Sequence, residues 1–158
     1  MTRASTALNS SVTTSMTNPT TKFKVLFVCI GNSCRSPMAE AIARRTAAEL
    51  FETASAGLRP LGLVQRLTLE TLAANGYPTD KLYSKPILND AWAEADLVIN
   101  MSGFPRERAF ARREWGKVED WQVDDPFGTE PEEYQRVFED IRAKIESLKA
   151  RLRAKTAV

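Results

Sequence analysis

Histidine is absent from this chain, and that absence narrows the available chemistry before any motif is considered. Without an imidazole, nucleophile–histidine pairs are excluded, and so is the usual zinc chemistry. Cysteine is nearly absent as well. The two present, Cys29 and Cys34, share one short stretch, and a bridge between them would close too small a ring to staple a fold. A reducing, cytoplasmic setting is expected. No apolar run approaches the ~20 residues that cross a bilayer, so no membrane span is expected. A large excess of one charge is also missing. The 22 basic and 20 acidic residues are interspersed and leave a net +2, which gives no footprint for nucleic acid.

What is there suffices for one domain with a real core: 158 residues, 43% hydrophobic and 27% charged. Residues 1–21 are mostly Ser, Thr, Asn and Ala, lack any apolar period and are expected to form a disordered tail. They also lack the central apolar stretch of a signal peptide. The domain is expected over residues 22–155.

Phe23 to Cys29 reads as a buried strand, short, continuous and rich in β-branched and aromatic residues. Ser36 is expected to cap a helix with Pro37 at its first position, running to about Leu50. Further strands are expected at Thr53–Ala56, Ala95–Met101 and Val118–Val123. Helices are expected at Leu63–Asn75, stopped by Asn75-Gly76, and at Pro105–Glu114. The clearest helix is the last, from about Pro131 to Arg153. Tyr134, Val137, Phe138, Ile141, Ile145, Leu148 and Leu152 form its apolar stripe. The pairs Glu132–Arg136 and Asp140–Lys144 lie on its wet side. Strands alternating with helices imply an α/β fold with a parallel sheet covered on both faces and a ligand site at the strands' carboxyl ends.

Cys29 stands at such an end. It opens a Cys-x5-Arg motif, with Arg35 six residues on and a helix N-terminus immediately after. Cysteine nucleophiles need such surroundings: a free thiol titrates near ~8.5, and a helix N-terminus with a cationic neighbour can lower that to roughly 3.5–7.5. Gly31 lets the backbone turn its amides inward, Asn32 tolerates left-handed dihedrals, and Arg35 offers a planar fork for two oxygens of a phosphate or arsenate. Ser36 has two readings, a helix cap or a hydroxyl donor to the sulfur. Cys34 also has two: a small apolar filler, or a redox partner that captures oxidised Cys29. The second constellation is Asp124-Asp125-Pro126-Phe127-Gly128. Phosphoryl transfer to a thiolate expels an alkoxide or phenoxide that needs a proton, and without histidine a carboxylic acid must supply it. Phe127 either walls a pocket or packs under the loop. Arg59, Arg66, Arg106, Arg108, Arg112 and Arg113 either greet an anionic substrate or cover solvated faces.

The string Val28-Cys29-Ile30-Gly31-Asn32-Ser33-Cys34-Arg35-Ser36-Pro37-Met38-Ala39-Glu40 resembles the phosphate-binding loop of the low-molecular-weight protein tyrosine phosphatase family. Ser55-Ala56-Gly57 and Asp125-Pro126 recur in the expected order, so the resemblance runs from about Lys24 to Leu152. It implies a three-layer α/β/α fold with a four-stranded parallel sheet. It implies a phosphocysteine at Cys29, transition-state binding by Arg35, and Asp125 as general acid and then base, without metal or cofactor. Ile30, Gly31, Asn32, Ser33, Cys34, Ser36 and Phe127 would contact substrate, with Asn32 and Ser55 bracing the loop. Phosphotyrosine proteins or small aryl phosphates are the implied substrates, phosphate, arsenate and vanadate the implied oxyanion ligands, and a monomer or weak dimer the implied state. Ser84-Lys85-Pro86-Ile87 and Tyr134-Gln135-Arg136-Val137 resemble bacterial arsenate reductases of the same superfamily. Those coupled to thioredoxin use two further cysteines, and none follows Cys34, so the alternative activity is arsenate reduction with a low-molecular-weight thiol. Two adjacent aromatics after Asp-Pro are common in the family, whereas Gly128 follows Phe127 here. Leu58-Arg59-Pro60-Leu61 offers no aromatic for the opposite wall.

Overall fold

The strand that carries Cys29 is the spine of the molecule. In the computed structural model, which describes residues 22–156, β1 spans Phe23–Cys29 and is buried from Val25 onward. The tail expected over residues 1–21 lies outside the described residues. β1 pairs in parallel with β2 (Phe51–Gly57) on one side and β3 (Leu97–Asn100) on the other, and β3 pairs with β4 (Val118–Asp120). The order is β2-β1-β3-β4. The chain therefore reverses direction across the sheet beside β1, and the carboxyl ends of β1 and β3 border the crevice where such sheets bind ligands.

Strand alternation sends β1 side chains to two cores. Val25, Phe27 and Cys29 join the larger cluster, and Leu26 and Val28 the smaller. Helices α1 (Arg35–Thr46), α2 (Arg66–Ala74) and α5 (Pro131–Thr156) cover the first face. The expected stripe of α5 is buried from Tyr134 to Leu148, and Leu152 packs partly buried at its end. The second face carries only short pieces: α3 (Asn89–Glu94), α4 (Arg106–Ala109) and a 3₁₀ turn (Arg112–Lys117). Trp92 and Phe110 stack there, ring centroids 5.2 Å apart, over the smaller core. The result is the expected three-layer α/β/α arrangement. Among the described residues no helix is long and apolar enough to cross a membrane.

Several boundaries differ from the expectation for physical reasons. Cys34, not Ser36, holds the cap position of α1, because the Ser36 hydroxyl is engaged with the Cys29 sulfur. α1 stops at Thr46, where a turn at Ala47 delivers the chain to β2, which starts at Phe51. The basic stretch after Pro105 is two pieces, because Phe110 is extended and its carbonyl accepts the Trp115 indole N–H. β4 ends at Asp120, freeing Val123 to meet Arg35. Arg136 pairs with Glu133 and Asp124 rather than Glu132.

Candidate active site

The loop from Cys29 to Cys34 is held by its carbonyls. The Cys29, Ile30 and Gly31 oxygens accept the N–H groups of Leu58, Arg59 and Leu61 at 3.0, 2.8 and 2.9 Å, and the Ser33 oxygen accepts Gln65 N–H at 3.1 Å. The Ser84 hydroxyl adds a bond to Gly31 O at 2.9 Å, and the Thr68 hydroxyl one to Ser33 O at 3.0 Å. In a planar trans peptide the N–H points opposite to the C=O. Carbonyls fixed outward therefore turn the amides of Ile30, Gly31, Asn32 and Cys34 toward the inside of the loop, an anion-binding nest set on the N-terminus of α1.

Asn32 is the keystone. Its φ of 50° makes it the non-glycine residue with left-handed backbone among those described. Its side-chain amide donates to Ser36 Oγ at 2.8 Å and Ser55 Oγ at 3.0 Å, and its carbonyl accepts Lys85 N–H at 2.9 Å. Because Ser36 accepts from Asn32, its own proton is left for the Cys29 sulfur, 3.0 Å away, or for Ala56 O, the longer contact at 3.4 Å. The Ser55 hydroxyl donates a hydrogen bond to the buried Glu40 carboxylate, which also pairs with Arg44 and lies 3.8 Å from Lys85 Nζ. Burial pushes Lys85 down, with Glu40 pulling the other way. Asn32→Ala removes three hydrogen bonds and the side chain suited to that backbone. It is expected to cost about 1–3 kcal/mol of stability, read by thermal melting.

Gly57 is the close neighbour that lets the loop sit down. A Cβ there would lie 2.8 Å from Ile30 O and 2.9 Å from Asn32 N, both backbone atoms. Gly57→Ala is expected to cost about 1–3 kcal/mol and to lower turnover beyond the loss of folded protein, as kcat measured well below the melting temperature will report.

Arg35 is fully buried. One of its terminal nitrogens donates to Met101 O at 2.7 Å and Val123 O at 3.4 Å, past the ends of β3 and β4. The other lies 3.4 Å from an Asp125 carboxylate oxygen. Its Nε is buried without a hydrogen-bond partner, so the Nε side of the fork remains to be matched by an acceptor. Asp125 is half exposed, and its other oxygen accepts the Phe127 N–H at 3.1 Å. Asp124 points elsewhere, to Arg136.

Cys29, Ile30, Gly31, Ser33, Cys34, Arg35, Asp125 and Phe127 line one cavity of about 200 Å³, with Arg59 and Leu61 completing it. Phe127 is thus a wall, exposed rather than packed beneath the loop. Leu61, over Gly31, supplies the opposite wall for which the sequence offered no aromatic. Cys34 packs against the Tyr134 hydroxyl, 3.5 Å from its sulfur, and burial pushes the Cys34 thiol up despite that bond. Asn32, Ser36 and Ser55 stand behind the cavity as braces. Arg66 pairs with Glu70, and Arg106 is tied to Glu107, Trp115 O and Val118 O. Sequence reasoning gave no role to Glu40, Leu61 or Ser84. Glu40 left a signal as an acid amid the apolar run Met38–Ala43, and Ser84 only as part of the Ser84-Lys85-Pro86-Ile87 resemblance.

A parallel sheet with a Cys-x5-Arg anion nest at its switch point defines a cysteine-centred, oxyanion-handling α/β protein. The family model described as low molecular weight phosphotyrosine protein phosphatase matches residues 24–158, and the chain belongs to that family. An arsenate reductase of Staphylococcus aureus is 33% identical over 131 residues, covering 83% of this chain and 99% of the relative. A solved arsenate reductase in its phosphate-binding state is 32% identical with a TM-score of 0.72, covering 83% and 98% of the two chains. A cysteine-to-serine mutant of the YwlE arginine phosphatase, solved with its active-site serine phosphorylated, is 27% identical with a TM-score of 0.71, covering 82% and 95%.

Proposed function

We propose that the chain is a cysteine-dependent phosphomonoester hydrolase of the low-molecular-weight protein tyrosine phosphatase type. Its working unit is residues 22–155, acting in the cytoplasm on phosphotyrosine in proteins or on small aryl phosphates. The observation that carries this reading is Arg35, which lines the cavity of Cys29 and Asp125 with its guanidinium clamped by two carbonyls and its Nε buried without a partner. The free side of that fork suits two oxygens of a phosphoryl group.

In this mechanism the Cys29 sulfur attacks phosphorus in line while the loop amides and Arg35 hold the equatorial oxygens. The bond from phosphorus to the leaving oxygen breaks, and Asp125 protonates that oxygen. Water then attacks the phosphocysteine, giving its proton to Asp125. The sulfur–phosphorus bond breaks, Ser36 steadies the returning thiolate, and orthophosphate leaves.

A second reading, arsenate reduction, is favoured by the identity to the Staphylococcus aureus arsenate reductase along nearly its whole length. The chain's cysteines end at Cys34, so an external thiol would have to reduce the Cys29–arsenic adduct. The thiol sulfur would bond to the Cys29 sulfur as the sulfur–arsenic bond breaks, its electron pair reducing As(V) to arsenite, and a second thiol would release Cys29 from the mixed disulfide. Parallel assays separate the two: p-nitrophenyl phosphate alone, and arsenate with glutathione or mycothiol. Phenolate release inhibited competitively by arsenate and vanadate is expected. Arsenite release without phosphate hydrolysis would overturn the proposal.

A further inference from the structure

Arg59 lines two concavities at once. It completes the Cys29 cavity, and it also borders an adjoining groove of about 480 Å³ with Ile30, Leu58, Phe104, Arg108 and Ala109. Ile30 is likewise shared, so the groove opens directly from the catalytic cavity. Its floor is apolar, its only charged members are two guanidinium groups, and no carboxylate lines it. Among the described residues neither Arg59 nor Arg108 is in an ion pair. By contrast Arg44, Arg66, Arg106, Arg136 and Arg151 each face an acid. The Arg59 main chain is tied to the phosphate loop through its N–H to Ile30 O, and the Arg108 guanidinium lies over the Phe104 ring, 5.6 Å from its centroid.

Resting on the hydrolase reading, we infer that Arg59 and Arg108 form a second anion subsite beside the catalytic cavity, selecting phosphorylated peptides that carry an acidic side chain next to the phosphorylated residue. The exposed Phe104, Leu61 and Phe127 at the rim supply apolar contact for a peptide. A small inorganic oxyanion would leave that surface uncovered. The two unpaired cations also oppose a cationic flank, since like charges in an apolar-walled cleft raise the local potential. An exposed ion pair contributes up to about fivefold in affinity, so two give up to about 25-fold, and roughly tenfold where each contributes about threefold. Salt must erode the effect, because the screening length is only about 10 Å at 0.1 M.

The test uses the full chain and three phosphotyrosine peptides of equal length, flanked by Asp, Asn or Lys, with p-nitrophenyl phosphate as control. The expected kcat/KM is about tenfold higher for the Asp peptide than for the Asn peptide, carried by KM. The ratio falls toward one in Arg59→Gln/Arg108→Gln and at high salt, and Arg108→Glu shifts the preference toward the Lys peptide. Hydrolysis of the control with equal rates for the three peptides overturns the subsite alone. So does an Asp preference that survives the double substitution. Failure to hydrolyse the control overturns the hydrolase reading and the inference with it.

Discussion

Cys29→Ser abolishes turnover of p-nitrophenyl phosphate, by at least about 10⁴-fold, while phosphate binding survives. The hydroxyl that replaces the thiol is a weak nucleophile unless a base removes its proton, and the surroundings offer none. The nearest side chain is the Ser36 hydroxyl, 3.0 Å from the sulfur, and the chain holds no histidine. Asp125, the base of the later water step, must carry its proton into the first step as the acid for the leaving oxygen, so it cannot also take the hydroxyl's. Binding persists because the loop is held by carbonyl bonds that do not involve the sulfur, and because Arg35 is anchored on Met101 and Val123. Steady-state rates beside phosphate titration calorimetry measure both halves. Retained turnover would remove the nucleophile from Cys29, and lost binding would mean that the sulfur organises the loop.

Asp125→Asn slows aryl phosphates by roughly 10²–10⁴. The amide keeps the shape and can still accept the Phe127 N–H, but it has no proton to give the departing oxygen. The loss in kcat/KM, which reports the first step alone, therefore grows with the basicity of the leaving group, small for p-nitrophenol and large for phenol. Values of kcat/KM for a series of substituted phenyl phosphates, native against variant, measure that slope. An equal loss across the series would make Asp125 a positioning carboxylate that merely steadies Arg35.

The parts of this protein that declared themselves in the sequence are those with short-range signals. β1 ends in an uninterrupted apolar run, Val25 to Cys29, and the stripe of α5 repeats every three or four residues, so both stand where expected. α3 gave no signal because it is six residues long and buries none of them. The Ser36 cap failed through competition: a hydroxyl that bonds sulfur and accepts from Asn32 cannot also cap a helix. The cavity walls were half legible. Phe127 follows the Asp-Pro turn in sequence, whereas Leu61 reaches the cavity only because its N–H is tied to Gly31 O across the loop. Gly57 stood out as a strand end, and its true constraint, backbone packed on backbone, exists only once β2 lies beside β1.

The central claim is that phosphorus is carried on the Cys29 sulfur. Its most direct measurement is acid quenching of Asp125→Asn during turnover of p-nitrophenyl phosphate, followed by peptide mass mapping. That substrate needs little help in departing, whereas the water step loses its base, so the phosphoenzyme builds up. The expected result is one phosphoryl group on the peptide containing Cys29, placed on that residue and not on Cys34. Phosphate released with no phosphoryl group on Cys29 at any quench time would contradict the account.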